Sequence, residues 1–209
     1  MNMMRFTTMK TKLRKYPSIF LILLLAISSC FLTGCVNQHP KDSKKSSQGE
    51  SVETMLEITD PKEKQAVLNA KAKVKALSGN PRIVATSPAV ADICDKLDLD
   101  LVGVPKSSVS KIPSRYKKVK KVGLAMSPDM EIVSSLNPDW ILAPSSLETD
   151  LKPKFEELKN TEYAFLNLRS VQGMYRSVQE LGEIFGKQQE AEKMTKEFTT
   201  FYKSYTTVS

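Results

Sequence analysis

In Lys121–Val133, KVGLAMSPDMEIV, Met126 stands between an apolar strand end and Ser127-Pro128, a strong helix-start signal. A neutral thioether in that place could ligate a soft metal centre or fill a gap beside the strand. Spacing bears on its direction. Met130, Val133 and Leu136 fall on one helical face, the core side, while Met126 precedes the Ser127 cap and lies outside that stripe. Ser87-Pro88 marks a second helix start of the same kind. A helix start offers unpaired N–H groups and the positive end of the macrodipole, so each could receive a carboxylate. Both serines are equally well explained as ordinary caps. Other chemistry is sparse: there is no Gly-x-Ser-x-Gly elbow and no phosphate-cradling glycine loop, and the single histidine, His39, lies in a polar stretch far from the strand-forming part. Nothing in the pattern points to an enzyme.

These residues are positioned by regularly alternating elements. Arg82–Thr86 reads as a short strand, Ser87 opens a capped helix, and Leu101–Val104 is the next strand. Lys118–Val122 is a weaker third strand, Ser127–Leu136 a helix stopped by Asn137-Pro138, and Trp140–Ala143 a buried fourth strand. Glu148–Lys159 is helical, Tyr163–Leu166 a fifth strand, and Val171–Phe185 an amphipathic helix ended by Gly186. The order predicts an α/β fold: a parallel-sheet, Rossmann-like lobe with flanking helices, whose ligands gather at the carboxyl ends of the strands. Ala191, Met194, Phe198, Phe201, Tyr202 and Tyr205 then make an aromatic stripe on a long C-terminal helix. Such a stripe needs cover, so exposed aromatic area and a fraying C-terminus are expected. Cys94, within a helical pattern, is expected as a buried, unpaired thiol.

The chain opens with Arg5, Lys10, Lys12, Arg14 and Lys15 and no acid, then the apolar run Ile19–Ile27 and Leu32-Thr33-Gly34-Cys35. This predicts a lipoprotein leader over 1–34, with Cys35 as the lipidated N-terminus on the outer face of a membrane. The apolar run falls short of the roughly 20 residues of a spanning helix. Five of the charges behind the formal +8 lie in the leader, which argues against a nucleic-acid partner. The expected organisation is a flexible tether over 35–59, a surface helix over 60–78, a ligand-binding lobe over 79–186 and a long helix from 187 to 209.

Leu32-Thr33-Gly34-Cys35, Arg82–Ser87, Lys96–Pro105 and Ser135–Ala143 together resemble the substrate-binding lipoproteins of ABC importers, in the class that takes siderophores, cobalamin and haem. Ile112-Pro113-Ser114-Arg115-Tyr116 followed by Val122–Asp129 resembles the haem receptors within that class. The resemblance implies two lobes joined by a long helix with ligand in the cleft between them, this chain being the N-terminal half. It further implies haem b as the transported ligand, Met126 as an axial ligand to its iron, and an ABC permease as partner. The iron's other ligand would be a histidine of the second lobe, for which this chain has no counterpart. Pro88 and Ala89, with Ser107 and Ser108, would face the haem propionates. The alternatives are a siderophore or cobalamin receptor in which Met126 only packs, and a tethered fragment that binds nothing.

Overall fold

Three consecutive apolar residues after Arg82 are too few for a helix, and all are buried, so they can only be a strand covered on both faces. The computed structural model describes residues 5–6 and 56–206. The strands are β1 (Arg5–Phe6), β2 (Ile83–Ala85), β3 (Leu101–Val104), β4 (Lys120–Lys121), β5 (Gly123–Leu124), β6 (Ser127–Pro128), β7 (Trp140–Pro144) and β8 (Glu162–Leu166). The helices are α1 (Pro61–Lys75), α2 (Pro88–Lys96), α3 (Met130–Ser135), α4 (Glu148–Glu156), α5 (Val171–Phe185) and α6 (Gln188–Thr206). The main sheet runs β1-β8-β7-β2-β3-β4. Five of its strands are parallel, and β1, inside the expected leader, pairs antiparallel with β8. The order reverses at β2: the chain builds β3 and β4 outward on one side, then returns to lay β7 and β8 on the other. The expected α/β, Rossmann-like lobe with helices on both faces is the observed one.

One face of the sheet is covered by α1, α2, α5 and α6 through Val67, Val90, Cys94, Leu97, Leu181 and Ile184. The other is covered by α3 and α4 through Val133, Leu151 and Phe155, against Val84, Ile141 and Phe165. Burial pushes the Cys94 thiol up to about 12, so it is a packed, unreactive side chain as expected. Strand Leu101–Val104 and helix Val171–Phe185 have the expected bounds, Gly186 closing the helix at φ 70°.

Three expectations are corrected. The third strand shrinks to two residues, Lys120 and Lys121: its two valines pack in opposite layers, Val119 partly buried in one and Val122 fully buried in the other, and exposed lysines separate them at the sheet border. Ser127 does not cap a helix; Ser127-Pro128 is the second strand of a small hairpin, and the cap is Asp129, whose carboxylate accepts from the Glu131 and Ile132 amides at 3.1 Å. The helix over 60–78 is not a simple surface helix. Val67 and Ala70 pack toward α5, and Glu63 is buried against Arg176 at 3.0 Å, with Glu180 alongside. Lys71 and Glu183, 2.7 Å apart, and Lys73 with Glu162 add ion pairs nearer its C-terminal end.

The aromatic stripe of α6 is partly covered by the chain itself. A side chain on Gly182 would lie 2.6 Å from the Ala191 Cβ, so the glycine lets α6 fold back tightly on α5. Phe198 stacks on Tyr175 with ring centres 4.5 Å apart, and Tyr202 tilts over Phe198 at 5.9 Å. Phe201 stays 69% exposed. Cys35, His39 and residues 36–55 of the expected tether lie outside the described residues, whereas Leu56, 3% exposed, and Ile58 already pack on the lobe, so the folded part begins before the expected boundary.

Candidate functional site

A sheet whose order reverses opens a crevice outside the carboxyl ends of the two strands at the reversal. Here these are β2 and β7, tied together where they end by the Thr86 N–H donating to the Leu142 carbonyl at 3.0 Å. Ser87-Pro88 follows β2 immediately. The Ser87 hydroxyl accepts from the Val90 N–H at 3.2 Å, and Pro88 has no N–H. Of the first-turn amides this leaves Ala89, which is exposed, as the donor the turn can offer to a ligand. Ser87 is therefore a true cap, and Pro88 contributes shape rather than a hydrogen bond.

The loop after β3 carries Ser107, whose hydroxyl accepts from the Ser110 N–H at 3.0 Å, and exposed Ser108. It is fastened to the next strand end by the Lys106 N–H donating to the Gly123 carbonyl at 2.6 Å. After β4 comes the hairpin. Gly123 pairs with Pro128 and Leu124 with Ser127, leaving Ala125 and Met126 as its two-residue tip. Met126 is 74% exposed and Leu124 59%, an apolar pair held out from the lobe. Two strand spacings, about 10 Å, separate the carboxyl ends of β2 and β4. The structure thus brings Ala89, Ser107, Ser108 and Met126 to one border of the sheet, with Pro88 between.

Two features of this border escape a reading by motif. Arg169, exposed in the loop after β8, puts a guanidinium on the same edge. Its signal is weak: a lone Arg three residues past an apolar strand, ahead of the Ser170 cap that accepts from the Gly173 N–H at 3.0 Å. The second is Gly123, which sits at φ 94°, where a Cβ would meet the Asp129 amide nitrogen at 2.9 Å. Gly123→Ala is accordingly expected to cost about 1–3 kcal/mol and to displace the Met126 hairpin. Gly79→Ala, where a Cβ meets nothing within 4 Å, should change stability by less than about 0.5 kcal/mol. Thermal unfolding of the two variants side by side checks this.

Chemically, the border offers one sulfur donor, one free helix amide, two serine hydroxyls, a cation and an apolar tip. Among the described residues no cluster of three His, Cys, Asp or Glu side chains is placed to hold a metal ion. The arrangement can offer a soft donor to a metal, and hydrogen bonds and positive charge to an anionic group. An apolar groove of about 440 Å³, lined by Val67, Leu68 and Ala191, lies in the helical layer away from the strand ends.

Comparison with known proteins agrees with the fold. The model of the periplasmic binding protein family matches residues 83–206. The high-affinity heme uptake system protein IsdE of Staphylococcus aureus (strain Newman) is 36% identical over 117 residues, which are 56% of this chain and 39% of that protein. Its structure complexed with heme superposes with a TM-score of 0.55 at 34% identity, over 58% of this chain and 46% of that one. An ABC transporter substrate-binding protein from Listeria monocytogenes EGD-e gives a TM-score of 0.56 at 44% identity, over 58% and 46% of the two chains. The siderophore binding protein BauB gives 0.50 at 25% identity, over 58% and 45%. The chain spans less than half the length of these relatives.

Proposed function

The chain belongs to the periplasmic binding protein family, whose members bind ligands rather than transform them, and from that premise we propose that it supplies the N-terminal lobe of a haem-binding lipoprotein serving an ABC importer. In this reading Cys35 anchors the lobe to the outer face of the cell membrane, and haem is passed to a permease without chemical change. The observation that carries it is Met126: a thioether 74% exposed at the tip of a hairpin, beside the carboxyl ends of the strands, in a chain 36% identical to IsdE over 117 residues. A neutral sulfur can take an axial position on haem iron and adds no charge to an apolar pocket. The Ala89 amide at the α2 N-terminus, Ser107 and Ser108 are positioned to meet the propionates, and Arg169 joins them as a cation.

Absorption spectroscopy tests this. Haem titrated into the protein should give a saturable, sharp Soret band. Met126→Ala should shift that band and speed haem loss, leaving the unfolding midpoint unchanged because the side chain buries little. Met130→Ala should leave the spectrum alone and lower stability by about 1–2 kcal/mol, since Met130 is only half-buried. Identical haem spectra for wild type and Met126→Ala would refute ligation. The similarity to BauB supports a second reading, a siderophore receptor, which predicts broad charge-transfer absorption with an iron siderophore and no saturable haem site.

A further inference from the structure

Positive charge in the folded part is concentrated. From Lys106 to Lys121 the chain carries Lys106, Lys111, Arg115, Lys117, Lys118, Lys120 and Lys121 and no acid, while the rest of residues 56–209 holds 16 basic and 20 acidic residues. Arg115 is neutralised within the lobe by Asp98 and Asp100, each at 2.8 Å. The six lysines are all exposed, and none forms an ion pair with a described residue. Five of them follow one border, and Lys111 lies in the loop that leads to it. β4 closes the sheet order, so no described strand pairs with its outer edge. Lys117 and Lys118 lead into that edge, Lys120 and Lys121 form it, and Lys106 is bonded to the hairpin at its far end.

Lysine on a free strand edge blocks the addition of foreign strands. That accounts for Lys120 and Lys121 but not for the four lysines off the strand. We infer that this edge is a docking face for an anionic lipid surface, its exposed ammonium groups set against phosphate headgroups. From the function proposed above the inference takes only the anchor at Cys35. Only the 20 residues from 36 to 55 then separate the anchor from Leu56, which packs on the lobe at 3% exposure, a span of at most about 70 Å. At that range a contact too weak to hold a free protein becomes effectively intramolecular. Charged headgroups within a Debye length, about 8 Å at physiological salt, attract a basic segment and leave the acidic remainder facing away. The lobe would thus be oriented on the membrane as well as tethered to it.

The inference is separable from the anchor: a Cys35 found unlipidated in cells removes the linker argument and leaves the surface contact to be measured. The measurement uses the full chain carrying Cys35→Ser, so that no acyl chain contributes, co-sedimented with phosphatidylcholine vesicles with and without phosphatidylglycerol. Binding should be at least tenfold tighter to the anionic vesicles and should weaken with added salt. Changing Lys106, Lys117, Lys118 and Lys121 to Glu keeps the edge charged, hence guarded against strand pairing, and should abolish the preference; the same four changed to Gln should reduce it at least threefold. Equal affinity of wild type and the Glu variant for the anionic vesicles, or of wild type for both vesicles, overturns the proposal.

Discussion

Arg176→Met should lower the stability of the lobe by about 3–5 kcal/mol, seen as a lower urea midpoint with an unchanged slope. Among the described residues Arg176 is the cation beside two buried acidic side chains, Glu63 from α1 at 3.0 Å and Glu180 one turn along its own helix. Methionine has a similar volume, so packing survives and the loss is electrostatic: a charge left in the interior without its partner. Protons report the same cluster. Burial first, and then Glu63, push the Glu180 carboxyl well above its ordinary range. The folded state therefore holds a proton that the unfolded chain releases above about pH 4.3. The sign follows: this stabilisation is complete below the ordinary carboxylate range and is lost as pH rises toward the raised folded value, by at most about 1.4 kcal/mol per pH unit. Glu180→Gln keeps the shape and a donor but cannot ionise, so it should make the lobe more stable at pH 8 and flatten the pH dependence between 5 and 8. A steeper slope in the variant would contradict this assignment.

Phe155→Ala should cost about 3–5 kcal/mol and should selectively expose α4 to hydrogen exchange. The ring is fully buried, stacked on Phe165 at 5.8 Å and 16° and tilted against Tyr163 at 5.8 Å. α4 has little else to hold it. Its N-cap Leu147 makes no side-chain hydrogen bond, and Pro153 lies inside the helix, where it lacks the N–H that would reach Thr149. Only Leu151 and Phe155 are buried along it. A helix with poor local order stays folded because two side chains fix it to the sheet, so removing the larger releases the whole segment. Uniform exchange across the lobe, with α4 no faster than α5, would show that local order holds it instead.

Much of this architecture was legible in the chain because strong, short-range signals agreed. Leu101–Val104 is a dense apolar run between polar stretches, and Val171–Phe185 combines a regular stripe with a terminal glycine, so both were found at the expected residues. Ser127-Pro128 failed for a local reason. Asp129 can cap as well as Ser127, and the deciding feature, the positive φ of Gly123 that turns the chain into a hairpin, has no unique sequence mark. The docking of α1 failed for a non-local one. Glu63 and Arg176 look like solvated surface residues, and their pairing across 113 positions appears only in three dimensions. Of the border, Met126 was legible because it falls off the helical stripe. Arg169 was not, since a single cation past a strand carries no periodicity.

The hairpin tip also bears on how such a lobe diversifies. Its geometry rests on backbone pairing and on Gly123, not on the side chains at Ala125 and Met126, and the Met126 side chain is largely outside the core. A position with almost no share in folding stability is open to replacement without the usual trade between activity and stability. Under the proposed function, the donor offered at this tip could then drift from sulfur to oxygen or nitrogen, one substitution at a time, on an unaltered scaffold. A library varied at Met126 should return folded proteins with nearly unchanged unfolding midpoints, and under the proposed function their haem spectra should diverge.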